Sequence, residues 1–208
     1  MNRTQVLVLG VHRSGTSVLT ATAARLGLFA GGVNDLDAGD RWNEKGYWEH
    51  RGVRALDESA LEALDTTWYG VSGPVGADLP EPARTPLEAR ARELLRGLDA
   101  RGSWVVKDPR LCVLLDFWKA FLDAPAYLFA LRRPLAVAGS LRERDGFPLQ
   151  VGLAIWECHL LAALAGTEGS PRAAFWYEDL VAEPEATGAL VADWLGRVSG
   201  GLAGRGSG

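Results

Sequence analysis

The residues with the clearest chemical purpose lie in one short segment, Val6-Leu-Val-Leu-Gly10-Val-His12-Arg13-Ser14-Gly15-Thr16-Ser17. An apolar run enters Gly10, and Gly15 closes a turn that opens a helix. In this setting backbone N–H groups and a helix N-terminus hold an anion. In the G-x-x-x-x-G-K-[ST] loop of nucleoside triphosphatases, the residue after the second glycine is Lys. Here that place belongs to Thr16, with Ser17 after it, and the basic side chain comes earlier, at Arg13. The cradle is kept and its cation is moved.

Positioning such a loop takes a parallel sheet, and the chain reads as one. Strands are expected at about 5–9, 104–107, 127–131 and 173–176, separated by helical stretches at 16–26, 53–64, 111–121, 135–144 and 185–195. Thr85-Pro86-Leu87-Glu88 has the form of a capping box and predicts a helix from there to about Gly102. Leu149, Leu153, Trp156, Leu160 and Leu164 recur at helical spacing and predict a core-facing stripe. Strands alternating with helices imply an α/β fold of three layers, a P-loop-like parallel sheet with helices on both faces. Residues 1–195 are read as a single domain, with segments 28–50 and 65–84 as lid or acceptor excursions. The Gly-rich run 196–208 is expected to be a flexible tail.

Ligands of open parallel sheets bind at the carboxyl ends of the strands. Those ends deliver His12 to Ser17, then Lys107 and Asp108, then Arg132 and Arg133, then Tyr177, Glu178 and Asp179. Arg13, Lys107, Arg132 and Arg133 on one rim argue for a polyanionic ligand. The chain as a whole is acidic, with a net charge of −4 over 208 residues. That balance opposes a general nucleic-acid surface or an anionic membrane surface. The apolar stretch 149–165 carries Gln150, Glu157 and His159, and reads as a buried helix rather than a membrane span. Cys112 and Cys158 form neither a metal spacing nor a disulfide framework, and no signal-peptide pattern opens the chain, so a cytoplasmic protein is expected.

Arg13-Ser14-Gly15-Thr16 resembles the 5′-phosphosulfate loop of the sulfotransferases that use 3′-phosphoadenosine 5′-phosphosulfate (PAPS) and release PAP. A second resemblance is Arg132, Pro134 and Ser140, a strand-end Arg with a Ser eight residues on, which in that family bind the 3′-phosphate. Tyr177-Glu178-Asp179-Leu180 is similar to a third recurrent segment, whose Tyr lies near adenine. Asn43-Glu-Lys-Gly46-Tyr47-Trp48-Glu49 and Lys107-Asp108-Pro109-Arg110 resemble bacterial members. The likeness spans about residues 5–195 and is to the compact bacterial carbohydrate or metabolite type. It implies PAPS as donor, no metal requirement and a small-molecule or carbohydrate acceptor. There are departures. Val18 stands where many relatives place an adenine-stacking Trp, Pro109 where cytosolic animal members use His, and the C-terminal Arg-Lys-Gly motif is missing.

Sulfuryl transfer needs the acceptor positioned, the oxygens of the moving group stabilised, and a proton removed. Arg13 with the Gly15 and Thr16 amides suits the 5′-phosphosulfate, Ser17 the 5′-phosphate, and Lys107 the bridging or sulfuryl oxygens. Three groups compete for the base: Glu49, ranked first because carbohydrate-type relatives carry a Glu there, then Asp108 and His50. The aromatic residues Trp42, Tyr47, Trp48, Trp68 and Tyr69 crowd the two excursions, mostly as packing. Tyr47, Trp48 and Trp68, with His50, are the acceptor-contact candidates. Two rivals stay open: a small-molecule or nucleotide kinase on the same fold, opposed by Thr16 in the lysine place, and a catalytically idle nucleotide-binding domain.

Overall fold

The computed structural model describes residues 3–41, 43, 46–71 and 73–203, so Trp42 and the last five residues lie outside the description. Four strands, β1 (Gln5–Leu9), β2 (Trp104–Lys107), β3 (Pro125–Leu131) and β4 (Arg172–Trp176), form one sheet in the order β2-β1-β3-β4. All neighbours are parallel, with Val8 beside Lys107 and Leu9 beside Phe129 in register. The helices are α1 (Thr16–Arg25), α2 (Arg51–Ala63), α3 (Arg84–Asp99), α4 (Leu111–Lys119), α5 (Pro134–Asp145), α6 (Leu149–Gly166), α7 (Tyr177–Ala182) and α8 (Pro184–Ala203). The expected three-layer α/β architecture is the observed one.

Strand side chains alternate between the two faces. Leu7, Leu9, Trp104, Val106, Tyr127 and Phe129 enter a core closed by α2, α3, α4 and α6. Val6, Val8, Val105, Leu128 and Ala130 enter the opposite one, closed by α1 and α8. Because β1 is buried on both sides, the loop that leaves it is anchored at its root. A Cβ on Gly10 would stand 2.7 Å from the Ala130 carbonyl oxygen, so sheet backbone and loop meet there as closely as glycine permits.

Four expectations need correction. Thr85 does not cap a helix: α3 begins at Arg84, and the Thr85 hydroxyl donates to Glu81 at 3.2 Å from inside the first turn. The buried face of α6 is Gly152, Ile155, His159, Ala162 and Ala163, while the Leu164 side of the predicted stripe reaches the surface. Small residues win that face because α6 lies close to its neighbours; a Cβ on Gly152 would approach the Ala138 Cα to 2.8 Å. Tyr177 opens α7, which the sequence reading left out; Glu178 and Asp179 sit in its first turn, where acidic groups suit the helix dipole. Finally, the supposed tail is helical through Ala203. Val191, Trp194, Leu195 and Val198 continue one i, i+3, i+4, i+7 stripe into the core, and Ser199 hydrogen-bonds Thr4 at 3.0 Å.

Candidate active site

The loop 10–15 is shaped by its own backbone. Ser14 is buried and turned inward, its hydroxyl donating to the Val11 carbonyl at 2.7 Å. Arg13 and Gly15 both take left-handed conformations, with φ of 71° and 93°. Gly15 is required there, because a Cβ would meet the Tyr177 ring at 2.5 Å. No side chain caps α1 among the described residues, so its first-turn N–H groups face the space in front of the loop. That space is a cleft of about 140 Å³.

Its cations come from the neighbouring strand ends. The Arg132 guanidinium donates to the Arg13 carbonyl at 2.9 Å and lies over the Tyr177 ring at 4.7 Å, so one side chain braces both loop and ring. Arg13 Nε donates to the Ser140 hydroxyl at 2.9 Å, which carries α5 into the same cluster. Burial lowers the Arg13 pKa, and the nearby Arg144 lowers it further, as befits cations gathered in one place. Arg133 was expected on this rim, but it stands at the N-terminal end of α5, outside the cleft lining.

On the opposite wall, the Lys107 ammonium donates to Glu49 Oε1 at 2.5 Å and to the Tyr47 carbonyl at 3.0 Å. Both charged side chains are buried, at 2% and 8% exposed, yet both line the cleft. Burial pushes the Glu49 carboxyl upward, Lys107 opposes that shift and Asp108 adds to it; the balance is a raised pKa. Asn43 and Tyr47 are tied down by Ser17, whose hydroxyl donates to the Tyr47 carbonyl at 2.8 Å and accepts from Asn43 Nδ2 at 3.1 Å. The Tyr47 phenol donates to Asp40 at 2.7 Å, and burial with that bond lifts its pKa to about 12.

The cleft therefore gathers Arg13, Gly15, Thr16, Ser17, Tyr47, Glu49, Lys107, Arg132 and Tyr177. It leaves out other candidates. Asp108 is fully buried and accepts from the Arg110 guanidinium at 3.0 Å and the Arg110 amide at 2.8 Å, so it is an ion-pair partner turned from the cleft. His50 caps α2, its Nδ1 accepting from the Gly52 amide at 3.2 Å. Trp48, with φ of 56°, packs against the α1/α8 core. Trp68 packs against the His12 ring, centroids 4.2 Å apart and planes tilted by 60°, and lines a separate groove beside Tyr69. Ser14 and Ser140 serve the loop and Arg13 and do not line the cleft.

Five lining residues have no site role from the sequence: His12, Val18, Asn43, Pro109 and Arg144. His12 Nε2 is buried with no hydrogen-bond partner among the described residues. Burial first, then Arg144, Arg110 and Lys107, hold its pKa well below the ordinary value, so the ring is neutral at pH 7. Arg144 comes one helical turn beyond Ser140 on α5, a spacing that carries meaning only once the helix has its place in the fold.

No protein-family model matches the sequence, and no curated protein matches it at a significant level. Solved structures do match its fold. The sulfotransferase domain of a Synechococcus olefin synthase aligns with a TM-score of 0.56 at 20% identity, covering 93% of this chain and 73% of that one. A Mycobacterium avium sulfotransferase aligns with a TM-score of 0.56 at 16% identity, covering 99% of this chain and 69% of that one. A Janibacter sugar kinase aligns with a TM-score of 0.51 at 14% identity, covering 93% of this chain and 95% of that one. The fold is that of the sulfotransferases, within the wider architecture that also carries a kinase.

Proposed function

We propose that the chain is a sulfotransferase that moves the sulfuryl group of PAPS to a hydroxyl or amine of a small metabolite or carbohydrate by in-line displacement. The observation that carries this reading is the pairing across one cleft of a lysine-free phosphate loop, with Arg13 and Arg132 around it, and a buried Lys107–Glu49 pair. In this reading the Gly15 and Thr16 amides and Arg13 hold the 5′-phosphosulfate. Arg132 and the Arg13–Ser140 contact attract the 3′-phosphate, and Tyr177 offers the adenine a ring. Tyr47 faces the acceptor, and the free thiols Cys112 and Cys158 suit the cytoplasm.

Lys107 has three N–H donors, of which Glu49 and the Tyr47 carbonyl take two. The third is left for the oxygen that bridges sulfur and phosphorus. As the acceptor oxygen bonds to sulfur, the bridging S–O bond breaks and its electron pair stays on the phosphate oxygen. The acceptor proton passes to Glu49. Neutralising Glu49 frees the Lys107 charge at the moment when negative charge grows on the leaving oxygen. Burial raises Glu49 and so strengthens it as a base.

The competing kinase reading makes an opposite prediction about nucleotides. In a thermal-shift series with chelator present, PAP at a hundredfold excess over Kd should stabilise the protein by about 2.7 kcal/mol, a rise of roughly 5–10 °C. A larger shift with Mg-ATP, and none with PAP, would overturn the proposal.

A further inference from the structure

Arg144 lines the cleft with Arg13, His12 and Tyr47, and its charge acts on all three. Both of its hydrogen bonds leave from Nε, to the two carboxylate oxygens of Asp145 at 3.0 and 2.9 Å. Its two terminal nitrogens donate to no protein acceptor among the described residues, although the side chain is only 12% exposed and lines the cleft. A guanidinium carries five N–H donors in a planar fork matched to carboxylates and phosphates. Here Nε is held by Asp145, and the terminal nitrogens of this cleft-lining residue keep their donors for a ligand. The side chain is also held from beneath, with its guanidinium over the Trp68 ring at 5.6 Å. The site is thus preorganised for an anion that the chain itself does not provide.

Position decides which anion. Ser140, four residues earlier on α5, marks the end of the cleft read above as the donor's 3′-phosphate side. Four residues of helix advance about 6 Å. Arg144 therefore lies one turn further along α5, its guanidinium over Trp68 and its charge bearing on His12 and on Tyr47, the residue read above as facing the acceptor. Trp68 also lines a separate groove with Glu58, Glu62 and Asp65, whose one cation, Arg110, is already paired with Glu58 and Asp108, so that groove suits an anion less well. We propose that Arg144 is an acceptor-binding residue that recognises a carboxylate or phosphate group on the acceptor, so that the preferred acceptors are hydroxylated acids. The inference rests on the sulfotransferase reading for what fills the rest of the cleft.

The test is calorimetry on the protein saturated with PAP and, in parallel, on the unliganded protein. The probes are matched pairs: mandelate against mandelamide and glucuronate against glucose for the carboxylate arm, and glycerol phosphate against glycerol for the phosphate arm. In at least one pair the anion should bind about ten- to a hundredfold tighter than its neutral partner, the size of a charged hydrogen bond. Arg144→Gln should abolish that preference, Arg144→Lys should retain part of it, and PAP affinity should change by less than about threefold, since the lost bonds are to the acceptor. Equal binding of anion and neutral partner in every pair, or a preference that survives in Arg144→Gln, would overturn the proposal. A tenfold or greater loss of PAP affinity in Arg144→Gln would assign the residue to the donor and overturn it too. Failure of PAP to bind the unaltered protein would defeat the donor reading instead, and the unliganded titrations would still decide for or against Arg144.

Discussion

The two walls of the cleft are built in different ways. The loop wall is set by close backbone approach, Gly10 against the Ala130 carbonyl and Gly15 under Tyr177, and is closed by the Ser14 hydroxyl on Val11 and the Arg132 guanidinium on Arg13. The facing wall, Asn43 and residues 46–50, lies between α1 and α2 and follows no strand of the sheet among the described residues. It meets the loop and β2 through side chains, Ser17 to Tyr47 and Asn43, and Lys107 to Tyr47 and Glu49. The loop wall is a consequence of topology, while the facing wall depends on a few polar bonds and carries the titrating pair. Binding of the donor and chemistry on the acceptor should accordingly fail separately.

Glu49→Gln is the largest expected break. It keeps the shape and an acceptor for Lys107 but removes the proton acceptor, so turnover should fall about 10²- to 10⁴-fold, with PAP affinity nearly unchanged. Because a buried cation loses its counter-charge, the variant's melting temperature must be measured alongside. Asp108→Asn and His50→Gln, whose side chains serve Arg110 and the α2 cap, should keep most of the turnover. Turnover lost in Asp108→Asn and kept in Glu49→Gln would put the base at the end of β2.

Arg132→Ala strikes the other wall. Removing a charged donor costs about 1.5–3 kcal/mol, so PAP should bind about ten- to a hundredfold more weakly. Adenosine 5′-phosphosulfate, which lacks the 3′-phosphate, should lose far less. Equal losses for the two ligands would leave Arg132 as a brace for Arg13 and Tyr177 only.

Asn43→Ala is the smallest of the three. Asn43 Nδ2 reaches the Ser17 hydroxyl and, at 2.7 Å, the Gly46 carbonyl. Losing two ordinary hydrogen bonds at about 1 kcal/mol each should lower turnover about five- to thirtyfold while leaving PAP binding intact. A matching loss of PAP affinity would show that the two walls act as one.

The same contrast explains what could be read from the residues alone. The phosphate loop and β1, β2 and β3 are legible because apolar runs ending at Gly or at a basic residue are local signals; β4, a short edge run ending at Trp176, is legible by its place between two helical stretches. The start of α3 was misread: Thr85 has the right neighbours for a cap, but the chain from Pro80 onward had already turned, with the Arg84 amide bonded to the Pro80 carbonyl at 3.0 Å. The end of α8 was missed because glycines outweighed the apolar stripe that Val198 continues. Lys107 and Glu49 were each candidates, but their ion pair spans 58 positions and exists only once the sheet is assembled. Trp48 and Trp68 were indistinguishable by type from acceptor contacts, and packing took both. Arg144 gained meaning only when α5 was seen to run along the cleft, since spacing from Ser140 says nothing until the helix has a place.

The account stands most directly on whether the chain consumes PAPS. Incubated with PAPS, chelator and a pool of hydroxylated small molecules, the protein should release PAP with matching gain of sulfate on an acceptor, followed by chromatography and mass spectrometry, and Glu49→Gln should release far less. Intact PAPS in that mixture, with ADP formed from Mg-ATP in a parallel one, would contradict it.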